Sequence, residues 1–242
     1  KIAASGGSTS TSDPYRAAYS LIELKAIVDE AHNRNRPVLA HCRCTDAINM
    51  ALDAGVDAIL HCAFYDNDGS YRFDQKTADR LAASEVWLNP TMGLGNANRE
   101  RLAKIQAERA LTPEEEDRLE RSTVSGANSL AQFSALVKAG VKLVGGSDCG
   151  WSYYPFGDFQ SEIMSLHAAG LSRINAIHAG TRSPAAALGI IDSIGTVEAG
   201  KEADLLVTNG DPSIDLECLR DVAAVFKGGN RVLTTKERAS LD

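Results

Sequence analysis

After a Gly/Ser/Thr-rich stretch, Ser5 to Ser12, the residues Leu21, Leu24, Ile27, Val28 and Ala31 recur at helical spacing and predict a helix. Pro37 stops that helix, and Val38-Leu39-Ala40-His41 reads as a short buried strand. A second helix is expected from about Thr45 to Asp53, ending at Gly55, where a left-handed cap costs least. The unit then recurs: Asp57-Ala58-Ile59-Leu60-His61 is a strand, Gln75 to Ala83 a helix, and Glu85 to Thr91 the next strand. Asn98 to Ala139 reads as a long, charged helical region. It restarts at Thr112-Pro113-Glu114-Glu115, where threonine caps, proline takes the first helical position and glutamate closes the box. Gly140 ends it, and Val141 to Asp148 is another strand.

Strands and helices in alternation, with near-continuous apolar strands, form the pattern of a parallel sheet covered by helices. From Ile194 the rhythm changes to short strands with Gly/Pro turns, among them Asp204 to Val207 and Ala223 to Phe226. A smaller β element is therefore expected to finish the chain. The expected division is 1–190 for the α/β unit and 191–242 for the β element.

Composition narrows the function. The 242 residues are 44% hydrophobic and 24% charged, the balance of a soluble protein with a sizeable core. A net charge of −7 and the lack of a Lys/Arg stripe speak against a protein that neutralises nucleic-acid phosphates. No apolar run reaches the roughly 20 residues of a membrane-spanning helix, and the start lacks the layout of a signal peptide, so a soluble, cytoplasmic protein is expected. Lys1 followed by a strand-like pair, with no methionine, suggests a piece of a longer protein. The N-terminal half of that protein, a small-molecule substrate and further copies of the chain are the expected partners. The five cysteines do not make a disulfide framework and are expected to be reduced thiols.

His41 and His61 each end an expected strand, as does Asp148. In a parallel α/β barrel such residues converge on one face, and two imidazoles with a carboxylate there suit a divalent metal. A lone histidine at a strand end is more often a hydrogen-bonded core residue; three such positions in successive units change that weighting. His32, His167 and His178 fall on helices and are read as exposed or bonded to helix ends. Cys42, Cys62 and Cys149 each follow a candidate ligand, and strand alternation turns the first two toward the helices as buried filler. The run Glu114 to Asp117 is read as a solvated first helical turn, and the Ser5–Ser12 tract as a loop without a phosphate-binding fingerprint. Trp151, Tyr153, Tyr154 and Phe156 put four aromatics within six residues of a chain that is 6% aromatic. This loop is expected to form a substrate wall, faced by Phe64, Tyr65 and Tyr71.

These residues resemble the amidohydrolase superfamily, in its imidazolonepropionase-like and prolidase-like branch, over nearly the whole chain. Lys1-Ile2-Ala3-Ala4-Ser5-Gly6-Gly7 is similar to the family's fourth-strand motif, Ala40-His41 to its fifth and Ala54 to His61 to its sixth. Gly145-Gly146-Ser147-Asp148 resembles the eighth strand, and Ile194 to Leu205 the return into a β-sandwich. The resemblance implies strands four to eight of a TIM-type (β/α)8 barrel plus the C-terminal part of a small β-sandwich. It also implies one or two divalent ions, most simply Zn2+, held by Lys1 as a carboxylated lysine, His41, His61 and Asp148. Asp148 would carry protons in hydrolysis of an amide, dipeptide, urea or carbamate. Departures are the absence of the first-strand His-x-His pair and of strands one to three. Cys42-Arg43-Cys44 stands where the family often has glycine, and Leu60 where it often has glutamate. A catalytically silent scaffold and a ring deaminase with a single metal are the alternatives.

Overall fold

The computed structural model describes residues 1–7, 9, 11–151 and 153–232. Ser8 and Ser10 of the Ser/Thr tract, Ser152 of the aromatic loop and 233–242 of the expected C-terminal element lie outside the described residues. Strands β1 (Ile2–Ala3), β2 (Leu39–Cys44), β3 (Ala58–Tyr65) and β4 (Trp87–Asn89) pair in parallel in that order. The intervening helices are α1 (Leu21–His32), α2 (Thr45–Ala54) and α3 (Gln75–Ala83). Parallel neighbours need such crossovers, which is why helical and strand periodicities alternate along the chain.

Local chemistry sets the helix ends as expected. Ser20 and Glu23 form a capping box on α1, and Leu24 and Val28 on its inner face are buried. Gly55 closes α2 with φ 83°, a left-handed conformation that costs glycine little. Thr112 and Glu115 form the second box, at the start of α5 (Pro113–Lys138).

The start of the helix before α5 and the last expected strand differ from expectation. The helix before α5, α4 (Gly93–Glu108), begins five residues earlier than its sequence pattern suggests. The Gly93 N–H donates to the Glu162 carboxylate at 2.7 Å, a tertiary cap no local pattern reveals. The expected strand from Val141 to Asp148 shrinks to one parallel bridge, Leu88 to Leu143. Leu88 N–H donates to Lys142 O and Val144 N–H to Leu88 O, both at 2.9 Å. The Gly145 N–H then turns away to Ala179 O at 2.7 Å, so the ladder stops there. Asp148 accordingly lies beyond any strand.

Helices α6 (Gln160–Ala168), α7 (Arg173–Ala179) and α8 (Arg182–Ala187) follow. β5 (Leu205–Thr208), β6 (Val222–Lys227) and β7 (Asn230–Val232) then make a three-stranded antiparallel sheet. A 3-10 turn over Leu216–Arg220 fastens this sheet to α6: Arg220 pairs with Asp158 at 2.8 Å, and Leu216 is buried in the main core. No helix among the described residues is long and apolar enough to cross a membrane.

Cys42, Cys44 and Cys62 are buried, and burial raises all three thiol pKa values, consistent with small apolar packing. Cys149 and Cys218 are half-exposed, and all five are free thiols. A native titration with an aromatic disulfide reagent is expected to modify Cys149 and Cys218 rapidly, and the other three only after unfolding.

Candidate active site

Neither histidine closes its strand, contrary to the sequence pattern: β2 continues past His41 to Cys44, and β3 past His61 to Tyr65. The register sets His41 beside Leu60 and Cys42 beside His61. Paired residues of a parallel sheet face the same way, so plain alternation would send His61 to the buried Cys42 side. The backbone breaks the alternation, since His61 and Cys62 take left-handed φ values of 65° and 49°. The His61 ring thereby reaches the His41 ring, their centroids 4.5 Å apart at an interplanar angle of 70°.

Left-handed backbone is costly for residues with a Cβ, on the order of 1–2 kcal/mol each. Among the described residues, five non-glycine residues have positive φ, and His61, Cys62, Thr91 and Asp148 are four of them. The His61–Cys62 pair lies within β3, and Thr91 and Asp148 lie beyond the strands; strain of this kind commonly marks a functional region.

Each imidazole spends one nitrogen on a neighbour. His41 Nε2 lies 3.1 Å from the Gly6 carbonyl oxygen, which can only accept, so Nε2 carries the proton and Nδ1 keeps its lone pair. His61 Nδ1 lies 2.8 Å from Thr91 Oγ1. The Thr91 hydroxyl has one proton and donates it to Pro90 O at 2.7 Å, so its oxygen accepts from His61 Nδ1–H. His61 therefore offers Nε2. Fixing the far nitrogen in this way is how proteins orient histidine as a metal ligand.

Electrostatics keeps both rings neutral. Burial lowers the His41 pKa, the positive charges of Arg43 and Lys1 lower it further, and the Gly6 bond and the Asp148 charge oppose them. Burial, with the neighbouring His41 ring and the Arg43 and Lys1 charges each lowering it further, brings His61 down to about 3. A neutral imidazole with a free nitrogen is the form that binds a cation.

The other expected residues divide. Lys1 is exposed ahead of β1, its charge felt at both histidines; Asp148 is exposed, its charge felt at His41. Among the described residues no three His, Cys, Asp or Glu side chains gather in metal-binding geometry, so two histidines are assembled and further ligands are not. Phe64 is wholly buried, its ring 5.0 Å from Phe73, and so packs the core instead of lining a pocket. Tyr154 is likewise buried and donates to Asp158 O, which corrects its reading as a substrate wall. Tyr153 docks on the α4–α5 pair, its ring 3.6 Å from the Arg101 guanidinium and its hydroxyl 3.1 Å from Arg118. Trp151 and Phe156 are exposed, and Tyr65 meets Tyr15 at 5.5 Å and Tyr71 at 6.3 Å. Of the other histidines, His32 bonds Asp57 at 2.9 Å, His167 bonds Leu171 O at 2.7 Å, and His178 is exposed.

Four residues were missed by sequence reasoning. Arg43 stands two positions after His41, and this spacing could have flagged it; its guanidinium lies 5.6 Å from the Tyr65 ring. Thr91 and Asn89 end or follow β4, a strand without a histidine to draw notice. Asn89 Oδ1 is buried without a partner among the described residues. Glu162, mid-helix and wholly buried, carries no sequence signal, and burial raises its pKa to about 7.

Two histidines in edge-to-face contact thus stand over a parallel α/β sheet, each with one nitrogen held by an oxygen partner. Residues 1–236 match the amidohydrolase family, and the chain belongs to it. Ochratoxinase from Aspergillus niger is 28% identical over 238 residues, 95% of this chain and 45% of that protein. A Xaa-Pro dipeptidase with methionine bound in its active site superposes with TM-score 0.77 at 25% identity, over 96% of this chain and 54% of its own. A prolidase complexed with N-methylphosphonate-L-proline gives 0.70 at 27%, over 96% and 53%. The chain thus spans about half the length of the relatives it matches.

A Cβ on Gly146 would overlap the Asn89 amide, so this strand end is built on close backbone approach. Gly146→Ala is expected to cost about 1–3 kcal/mol in thermal or urea unfolding.

Proposed function

We propose that the protein to which this chain belongs is a metal-dependent hydrolase of an amide-like C–N bond in a small molecule. The observation that carries the reading is the histidine pair, 4.5 Å apart, each ring presenting one unprotonated nitrogen. His41 Nδ1 and His61 Nε2 would hold a divalent ion, most simply Zn2+, with Asp148 and a carboxylated Lys1 as oxygen donors. When bound, such an ion lowers the pKa of a water to around 7 and polarises a carbonyl oxygen.

The chain's own residues supply the rest. Asp148 takes a proton from the attacking water at its carboxylate and returns it to the leaving nitrogen. The Arg43 cation, close enough to act on both histidines, suits a carboxylate next to the scissile bond. N-acyl amino acids and dipeptides therefore fit better than neutral ureas or carbamates, in keeping with the names of the dipeptidase and prolidase relatives. In this reading 1–190 would form part of a (β/α)8 barrel and 191–242 part of a β-sandwich.

Elemental analysis of the protein, with hydrolysis assays on an N-acyl amino acid, a dipeptide, an aryl urea and a carbamate, tests the reading. Bound zinc with turnover of the first two is expected; absence of metal and of turnover would point to a silent scaffold. Asp148→Asn is expected to stay folded and lose at least about 100-fold in turnover, since positioned acid–base groups contribute roughly 10²–10⁴-fold. A loss within about threefold would remove Asp148 from proton transfer. Arg43→Gln should raise KM for the carboxylate substrate about tenfold or more, the value of a charged hydrogen bond, while a substrate amidated at that carboxylate changes little.

A further inference from the structure

We propose that Glu162 is a positioning residue for His61, acting through the turn after β4 and the Thr91 hydroxyl. In part this rests on the hydrolase reading, since it gives His61 a reason to be held.

Glu162 lies on α6, far along the chain from either histidine, and is wholly buried. A buried carboxylate is costly unless something compensates it, and no salt bridge reaches this one among the described residues. What faces it is backbone. Its Oε2 accepts the Gly93 N–H at 2.7 Å, two residues past Thr91, and the backbone of Thr91 and Met92 favours the charged form against burial, while Oε1 is buried without a hydrogen-bond partner among the described residues. Successive N–H groups that follow a left-handed residue form a concave anion nest, and Thr91 is left-handed at φ 56°. Here the anion is a side chain of the protein itself. Tyr154 closes the space from the other side, since a Cβ on Gly93 would run into its hydroxyl.

The consequence reaches the site through one residue. The strained φ of Thr91 is the conformation in which its hydroxyl gives its proton to Pro90 O at 2.7 Å and receives Nδ1–H of His61 at 2.8 Å. If the nest lost its anion, nothing would offset the left-handed backbone. The turn would relax, and His61 would lose the acceptor that fixes its tautomer. A carboxylate that only caps α4 would predict lower stability with His61 unchanged, so the two roles separate experimentally.

The test uses uniformly 15N-labelled protein. The His61 ring nitrogens are read by NMR in metal-free protein at about pH 8, and the zinc dissociation constant is read by competition with a chromophoric chelator. In the wild type one His61 tautomer, protonated at Nδ1, is expected. Thr91→Val should convert it to a mixture and weaken zinc about 10–100-fold, the usual effect of losing such a supporting bond. Thr91→Ser, which keeps the hydroxyl, should stay within about threefold of wild type, well below that loss. Glu162→Gln should behave like Thr91→Val while melting cooperatively, and the double variant should be no worse than the worse single one, because both act through one path. Should Glu162→Gln not fold, Glu162→Asp carries the same expectation. Wild-type His61 signals in a folded Glu162 variant, or additive losses in the double variant, would overturn the proposal. If the wild type binds no zinc, the hydrolase reading fails, and the tautomer measurement still decides the role of Glu162.

Discussion

Parallel pairing of β1 to β4 is the constraint on which the rest depends. It brings the carboxyl ends of all four strands to one edge and forces each return through a helix. Helices α1 to α3 then bury one side of the sheet, and residues such as Ala40, Cys42 and Cys44 become filler there. Because every strand ends at the same edge, loops far apart in sequence meet: the Gly6 carbonyl with His41, Thr91 with His61, and Gly146 with Asn89.

Perfect pairing alone would not make a site. With ideal alternation the register that sets Cys42 beside His61 would leave the two histidines on opposite faces. The left-handed pair His61 and Cys62 reverses this, at a cost on the order of 1–2 kcal/mol per residue that the surrounding core must offset. Order in the core and strain at the edge are two sides of one arrangement. The same division explains why the last expected strand is cut short: Gly145 leaves the ladder to bond the end of α7, which frees Ser147 and Asp148 to turn.

Burial and hydrogen bonding settle the protonation of the site together. Desolvation keeps both imidazoles neutral, and oxygen partners choose which nitrogen of each is available. Arg43 and Lys1 act on both histidines and Asp148 on His41, so charges of both signs meet at this edge.

Much of the fold was legible from residues alone. Helical spacing from Leu21 to Ala31, glycine at position 55 and the Thr112–Glu115 box act over a few residues, and each element they predict is present. The histidines could also be nominated, because residue type and strand placement are local properties. What only tertiary structure decided depends on partners distant in sequence. α4 starts at Gly93 because a carboxylate 69 residues later receives its N–H, and His61 faces His41 because of a backbone inversion that no side-chain pattern encodes. Phe64 and Tyr154 looked like pocket walls by their chemistry and are core by their packing. A sequence states which groups are available and what local backbone they prefer; which atoms they meet follows from strand register and long-range contacts, and those are settled only when the chain has folded.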